Sequence, residues 1–231
     1  MVDFLDWDSD FFKLRIGKVV IASEREMDTL KEISASIKNS FDLVYVFSSP
    51  GVQVVLANCS LVDQKVVYKK SLISPIPLSD SHVSEYKEKR VSEGLLGLAL
   101  DSGVYSRFNL DKNLPDGSYE RLYARWIEQS VNHQNATCVF CYMLDGNPRG
   151  LVTLSIKGQH GDIGLVSTHP LFRGRGIGIA MLKHVEHFCA HQGVKELFVP
   201  TQKHNLPACH LYEKAGFSEV SCTNVWHWWL K

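Results

Sequence analysis

A strand-like apolar run that passes through a glycine-rich loop into a long helical pattern constrains this chain more than any other feature. The run covers residues 162–168, and the loop reads Arg173-Gly174-Arg175-Gly176-Ile177-Gly178 just before the helical pattern begins. Glycines let backbone N–H groups turn inward, and a helix start adds partial positive charge. The arginines add forked donors. The loop therefore predicts a bound anion such as a diphosphate.

The spacing of the glycines distinguishes this loop from two known phosphate-binding loops. The dinucleotide fingerprint needs Gly-x-Gly-x-x-Gly and an acidic residue about 20 positions further on. This chain has Gly-x-Gly-x-Gly, with Phe198 at the distant position, and it lacks the Gly-Lys-Ser/Thr of nucleotide hydrolases. What it contains is Arg-x-x-Gly-x-Gly, formed by Arg173, Gly176 and Gly178. An ordinary glycine-rich turn between a strand and a helix is the competing interpretation.

A second motif follows one helix and one short strand later. It reads Asn-Leu-Pro-Ala-Cys-His-Leu-Tyr-Glu-Lys-Ala-Gly-Phe over residues 205–217. The proline suits the first turn of a helix and the glycine suits its end. Asn205 can cap this helix, Ala208 permits a close approach, and Tyr212 lies one turn further on the same face.

Together the two motifs resemble the acyl-CoA signature of the GCN5-related N-acetyltransferases (GNAT), in the order and separation typical of that family. The resemblance implies an α/β fold with a mixed sheet and helices on both sides, and acetyl-CoA as the co-substrate. It also implies that a splayed strand at 165–168, the glycine loop and the asparagine hold acetyl-CoA. The residues so implied are Val166, Ser167, Thr168, Arg173, Gly174, Arg175, Gly176, Ile177, Gly178 and Asn205.

The resemblance further implies that main-chain N–H groups polarise the thioester, so that no side chain is required for that step. Tyr212 is then the acid that protonates the leaving thiolate, and a merely packed tyrosine is the alternative. No single general base stands out, because a water relay can serve instead. The acidic candidates in the acceptor half are Glu85, Glu93, Asp116, Glu120 and Glu128.

The composition excludes several classes of partner. The 231 residues carry 25 basic and 25 acidic side chains, which gives no reason to expect nucleic acid. No apolar run approaches the ~20 residues of a membrane helix, and the first residues lack a signal-peptide pattern. Six cysteines in such a chain fit reduced thiols in the cytoplasm.

No metal is expected. Cys138 and Cys141 resemble half a zinc site, but they lie in a β-like run in which i and i+3 point to opposite faces. His184, His187 and His191 align at i, i+3 and i+7 on the long helix, where an ordinary helix surface explains them better than a metal site does.

Periodicity and turn residues predict two parts joined by a linker at 74–78. Residues 79–231 read as a complete GNAT domain, and residues 1–78 as a partial GNAT-like lobe that shapes the acceptor site. Helices are expected at 24–39, 52–59, 92–101, 118–131, after 176 and after 205; strands are expected at 43–48, 65–70, 83–89, 136–144, 149–157, 162–168 and 197–199, with a closing hairpin of 217–221 and 225–230.

The acceptor site is predicted between the two parts. Arg107 carries a guanidinium that could bind a phosphate through two hydrogen bonds, while Tyr119, Tyr123 and Trp126 could stack on a base or sugar. These three aromatics share one helical face, so a core stripe is the alternative. The segment, with Trp7 near the N-terminus, resembles the bacterial TDP-fucosamine N-acetyltransferases, although Leu211 stands where that group carries a basic residue.

The sequence thus predicts a cytoplasmic, acetyl-CoA-dependent N-acetyltransferase of a nucleotide-linked amino-dideoxy sugar, similar to dTDP-4-amino-4,6-dideoxygalactose, for polysaccharide biosynthesis. The alternatives are an acetyltransferase of a protein N-terminus or a small-molecule amine, and a non-catalytic acyl-CoA-binding module. The expected partner is the nucleotide-sugar substrate, with neither nucleic acid nor a membrane. The sequence does not fix the oligomeric state, and a homodimer is one option.

Overall fold

The computed structural model describes residues 2–32, 34–72 and 80–230. Their strands are β1 Asp3–Phe4, β2 Ile16–Ile21, β3 Leu43–Ser48, β4 Cys59–Ser71, β5 Val83–Glu85, β6 Cys138–Leu144, β7 Asn147–Lys157, β8 His160–Thr168, β9 Glu196–Gln202 and β10 Ser218–Trp229. Their helices are α1 Asp6–Phe12, α2 Glu24–Glu32, α3 Ser34–Ser40, α4 Glu93–Ser102, α5 Arg107–Leu110, α6 Ser118–Val131, α7 Ile177–His191 and α8 Leu206–Lys214.

All ten of these strands join one mixed sheet in the order β1-β2-β3-β10-β4-β9-β8-β7-β6-β5. The N-terminal strand β4 lies between β9 and β10, and it runs antiparallel to both. The last strand, β10, in turn lies between β3 and β4. The N-terminal segment therefore supplies an interior strand to the sheet that also carries the glycine-rich loop.

Helices cover both faces of this sheet, as the resemblance implied. Helix α7 packs on β7 and β8 from one side, where its apolar residues join the largest hydrophobic cluster together with α8. Helices α4 and α6 pack on the opposite side. Cys138 and Cys141 lie in these two different clusters, which confirms that they point to opposite faces.

Several predicted elements are confirmed with their boundaries. Helix α6 and strand β3 match the predicted ranges at both ends. The turn between β6 and β7 is a two-residue hairpin loop, in which Asp145 and Gly146 have φ values of 50° and 73°. Positive φ at both positions is what an Asp-Gly pair favours in a tight hairpin.

Other predicted elements were wrong or shifted. Residues 52–56 form no helix, and a turn with Asn58 at φ 58° leads into β4, because the β-branched valines of this run favour extended backbone. The predicted closing hairpin is the single strand β10, whose register with β4 shifts at Val220. Strand β5 ends at Glu85. The predicted helix at 24–39 corresponds to helical residues 24–32 and 34–40, with residue 33 outside the described residues. The predicted linker at 74–78 lies outside the described residues.

The end of α4 approaches the α6 side chains so closely that only glycine fits. A methyl group on Gly103 would overlap the ring of Tyr123, which is itself buried. We expect Gly103→Ala to lower the free energy of unfolding by about 1–3 kcal/mol in urea titrations, because the buried ring must move.

Gly97 provides the matched control within the same helix. Nothing lies within 4 Å of a methyl group placed there, so Gly97→Ala should raise the free energy of unfolding by roughly 0.5–1 kcal/mol through helix propensity. Equal effects of the two substitutions would contradict the close packing of α4 on Tyr123.

Candidate active site

The site begins where β8 separates from β9. Their parallel pairing stops at Asp162 and Phe198, while β8 continues to Thr168 along β7. A bulge in β8 accompanies the separation, since Thr153 of β7 faces two residues of β8, and its hydroxyl accepts the N–H of Leu165 at 2.8 Å. The sheet is therefore open on one side of β8, and a gap lies between β8 and β9.

The open side of β8 presents backbone donors to this gap. His169 donates its N–H to Arg149 of β7 at 2.9 Å, so the N–H of Ser167, two residues earlier, faces β7 as well. Because N–H directions alternate along a strand, the N–H groups of Val166 and Thr168 face the gap instead. The splayed strand implied by the family resemblance is present at the predicted residues.

The glycine loop lies at the mouth of the gap, where its backbone turns N–H groups outward. Gly174 and Gly176 have φ values of 76° and 83°, which residues with side chains rarely adopt. Among the described residues, none accepts a hydrogen bond from the N–H of Gly174, Arg175 or Gly176. These donors, with the free N–H groups of the first turn of α7, fit a diphosphate.

Loop and gap together form a cavity of about 380 Å³. The predicted residues that line it are Val166, Ser167, Thr168, Arg173, Gly174, Gly176, Ile177, Gly178, Asn205 and Tyr212. Arg175 does not line it, and its guanidinium lies over the Phe172 ring, 5.0 Å from the centroid.

A carboxylate that sequence reasoning did not identify holds the loop in place. Asp101, near the end of α4, accepts hydrogen bonds from Ser167 at 2.8 Å and from the Arg173 guanidinium at 2.5 Å. Arg173 also donates its Nε–H to the Thr168 carbonyl at 3.1 Å. The first arginine of the motif therefore joins α4, β8 and the loop.

Helix α8 supplies the other wall of the cavity. The Asn205 side chain accepts the N–H of Ala208 at 3.3 Å, which confirms the predicted cap. Tyr212 is 3% exposed, and burial raises the pKa of its hydroxyl, so the phenol stays protonated at neutral pH. Leu211 packs toward Gly178, where a Cβ atom would lie 3.0 Å from its methyl groups, and this apolar contact occupies the position expected to be basic.

A second cavity of about 370 Å³ opens on the side of α5 and α6. It meets the first cavity at residues that line both, which are Ser102, Val166, Asn205, Ala208 and Tyr212. Its remaining wall comes largely from polar side chains, among them Asp63, Lys65, Ser106, Arg107, Ser130, Asn135, Thr201 and Gln202. Tyr212 therefore lies at the junction of the cavity beside the glycine loop and a polar pocket.

Three of the four predicted acceptor residues reach this second cavity. Arg107, Tyr123 and Trp126 line it, and the Arg107 guanidinium lies over the Phe108 ring, 4.3 Å from the centroid. Tyr119 lies on the same face of α6, but it lines neither cavity. Its hydroxyl donates instead to the Leu100 carbonyl, so Tyr119 joins α6 to α4.

The acidic group in the second cavity comes from the N-terminal segment. Asp63 of β4 is 5% exposed, its Oδ1 atom has no hydrogen-bond partner among the described residues, and burial raises its pKa to about 6. Arg107, His204 and Lys65 oppose that rise. Sequence reasoning missed Asp63 because nothing in the local pattern shows that β4 lies beside β9.

The five acidic residues considered as bases do not line either cavity, and Glu93 and Glu128 lie on a separate groove beside α6. On α7, His184 packs edge-on against Phe140, and His191 bonds the His187 carbonyl at 2.8 Å. No group of three potential metal ligands occurs among the described residues. Within the same residues, no helix is long and apolar enough to cross a membrane.

Comparison with known proteins agrees with this geometry. Residues 103–217 match the Acetyltransferase (GNAT) family. The dTDP-fucosamine acetyltransferase of Escherichia coli O6:H1 is 27% identical over 231 residues, which covers 97% of this chain and 96% of that protein. The spore coat polysaccharide biosynthesis protein SpsD of Bacillus subtilis is 24% identical over 138 residues, with 60% of this chain and 47% of that protein covered.

A solved structure supports the fold. The GCN5-related N-acetyltransferase from Sphaerobacter thermophilus superimposes with a TM-score of 0.61 at 15% identity, covering 100% of this chain and 76% of that one. Residues 103–217 thus belong to the GNAT family, whose members use acetyl-CoA, and the protein is an acetyltransferase.

Proposed function

We propose that this acetyltransferase transfers acetyl from acetyl-CoA to the amino group of a nucleotide-linked amino-dideoxy sugar similar to dTDP-4-amino-4,6-dideoxygalactose. The observation that carries the proposal is the meeting of two cavities at Tyr212, one lined by the glycine loop and β8, the other polar and lined by the half-buried Arg107. The relative that matches this chain over 97% of its length is named for a dTDP-linked acceptor, which supports the same substrate class.

The residues at the first cavity fit acetyl-CoA, which supplies the acetyl thioester when bound. The N–H groups of residues 174–176 and the start of α7 would hold its diphosphate, and the gap beside Val166 and Thr168 would take the pantetheine arm. Asn205 would bond that arm with its side-chain amide nitrogen, since its oxygen already caps α8.

The amine attacks the thioester carbon directly, with both substrates bound. The Val166 N–H faces the gap and lies at the junction, so it is placed to stabilise the oxyanion that forms on the carbonyl oxygen. The carbon–sulfur bond then breaks, and Tyr212 gives its proton to the departing sulfur. Because burial raises the pKa of the Tyr212 hydroxyl, the phenol keeps its proton until the sulfur departs.

The second cavity is the proposed acceptor cavity. Asp63 is its acidic residue and can take the proton released by the amine. With a pKa of about 6 it is a carboxylate at pH 7.5, and its unpartnered Oδ1 atom can accept a hydrogen bond from the amine or from a bridging water. Strand β4 carries Asp63 and Lys65 into the cavity. We therefore assign the segment 1–78, as a partial GNAT-like lobe, the role of completing the acceptor site.

Arg107 and the aromatic residues of α6 would orient the acceptor. The guanidinium can bind a phosphate of the nucleotide, and the Tyr123 and Trp126 rings, 4.9 Å apart, offer a surface for the sugar or the base. A peptide acceptor would need neither a phosphate-binding cation nor aromatic rings in a pocket.

The substrate class is tested with TDP-linked and UDP-linked amino sugars, peptides with free N-termini and polyamines, measured by thiol release. We expect turnover with the nucleotide sugars and a preference for the TDP-linked one. Arg107→Gln should raise the Michaelis constant of the acceptor by roughly 10–100-fold, because a charged hydrogen bond is lost, and should leave the dissociation constant of acetyl-CoA unchanged.

Arg125→Gln is the control, since Arg125 of α6 is exposed, faces Glu128 and does not line the acceptor cavity. Turnover confined to peptides or polyamines would contradict the nucleotide-sugar assignment. Tight acetyl-CoA binding without turnover of any amine would instead identify a binding module.

The acid is tested with Tyr212→Phe, which removes only the hydroxyl. We expect kcat to fall by about 10²-fold, as is usual for the loss of a general acid, without weaker acetyl-CoA binding by calorimetry. Tyr68→Phe is the matched control, because its ring lies 5.8 Å from that of Tyr212 and its hydroxyl bonds Glu213 at 3.0 Å. Similar kcat values for the two variants would show that Tyr212 is not the general acid.

The base is tested with Asp63→Asn across the pH range. For the wild-type protein, kcat/KM should fall as the pH drops through about 6, which gives the pH profile an acid limb. The variant should be about 10²-fold slower at pH 7.5, and its profile should lack this acid limb. Because the folded pKa lies above the ordinary value of 3.8, ionising Asp63 destabilises the folded state. The variant should therefore gain stability relative to the wild type as the pH rises from 4 to 7.

Glu120→Gln is the control for that titration, since Glu120 is an exposed acid outside the cavity. A wild-type acid limb that persists in Asp63→Asn would assign the base to another group.

A further inference from the structure

A buried carboxylate and imidazole lie behind the acceptor cavity and are not explained by the chemistry above. His227 of β10 is 0% exposed, and its Nδ1 atom lies 2.5 Å from the Asp111 carboxylate. Trp229 donates its indole N–H to the same carboxylate oxygen at 3.0 Å. Asn113 donates its backbone N–H and its side-chain amide to the other oxygen, both at 3.0 Å.

This arrangement fixes which nitrogen of the imidazole carries hydrogen. With donors on both of its oxygens, Asp111 has a pKa lowered to about 2 and is a carboxylate at neutral pH. Burial lowers the pKa of His227, so the ring is neutral. The single ring hydrogen must therefore lie on Nδ1 and point at Asp111, which leaves a lone pair on Nε2.

A second buried polar atom near His227 also lacks a partner among the described residues. His227 Nε2 and Arg107 Nε are both buried, and neither has a hydrogen-bond partner among the described residues. Both groups contact one ring: the imidazole stacks on Tyr45 at 4.8 Å, and the guanidinium lies 5.0 Å from the centroid of the same ring. A buried donor and a buried acceptor without partners are costly to keep, and these two are complementary.

The same carboxylate is joined to Arg107 through the backbone. Asp111 follows the last residue of α5 and donates its N–H to the Arg107 carbonyl at 2.9 Å. Its side chain binds His227 and Trp229, both of which belong to β10. The one-turn helix that carries Arg107 is thereby fixed to the sheet at its C-terminal end.

We propose that the Asp111–His227 pair positions Arg107 for the phosphate of the acceptor. His227 Nε2 accepts the Arg107 Nε–H when the acceptor is bound, which leaves the terminal nitrogens of the guanidinium free for the phosphate. The inference rests on the proposed function, and it makes His227 a positioning residue that does not touch the substrate.

His227→Asn separates this role from a structural one. The asparagine amide nitrogen takes the place of Nδ1 and can still donate to Asp111, but nothing replaces Nε2. We expect the Michaelis constant of the TDP-linked amino sugar to rise by about tenfold, with kcat and acetyl-CoA affinity unchanged. In an Arg107→Gln background the same substitution should have no further effect, because His227 acts through Arg107.

Trp229→Phe is the matched control, since it removes the other β10 donor to Asp111 and keeps Nε2. It should leave the Michaelis constant of the TDP-linked amino sugar close to the wild-type value, because His227 still holds Asp111. Equal effects of the two substitutions, or additive effects of His227→Asn and Arg107→Gln, would overturn the inference and leave the pair a purely structural contact.

Spectra of the wild-type protein and of His227→Asn, free and with thymidine diphosphate, test the inference without turnover. Two-bond ¹⁵N–¹H spectra should show the Nδ1–H form of His227, and saturating thymidine diphosphate should shift the Arg107 Nε–H resonance more in the wild type than in His227→Asn. An Nε2–H form, or equal shifts, would overturn the positioning role. Absence of turnover with any nucleotide sugar would contradict the proposed function. The spectra would still test whether His227 positions Arg107.

Discussion

The loss of pairing between β8 and β9 beyond Asp162 and Phe198 is the constraint on which the rest of the site depends. A parallel pair that continued would use the N–H groups of Val166 and Thr168 within the sheet and would close both cavities. Because the bulge opposite Thr153 turns β8 away, those donors stay available, and α8 can place Tyr212 beside them. The candidate site is therefore a gap in the sheet, in which main-chain atoms supply the donors.

The N-terminal segment gives this gap its acceptor side. Strand β4 lies against β9 over residues 65–71, and at its other end it carries Asp63 into the cavity opposite Arg107. The two charged groups come from distant parts of the chain, and each has a buried atom without a partner among the described residues. Such atoms at the wall of a cavity are available to a polar ligand.

Sequence motifs predicted the local geometry of the proposed cofactor side, because it lies in contiguous residues. The loop at 173–178 and the element at 205–217 carry their geometry locally, through glycine dihedral angles and helix caps. The acceptor side was only partly predictable. Asp63 entered it through the pairing of β4 with β9 and β10, which no local pattern encodes. The spacing on α6 placed Tyr119 and Tyr123 on one face but could not show that a carbonyl of α4 binds the Tyr119 hydroxyl.

The interior position of β10 bears on how the chain acquires its structure during synthesis. Residues 224–229 complete the pairing of residues 43–48 and 59–64, so β3 and β4 each keep an unpaired edge until β10 has left the ribosome. Exposed strand edges recruit other strands, and pairing between such distant segments is slow. Nascent chains of this acetyltransferase should thus pass through a long-lived, aggregation-prone state in which Asp111 still lacks His227 and the anchor of Arg107 does not yet exist.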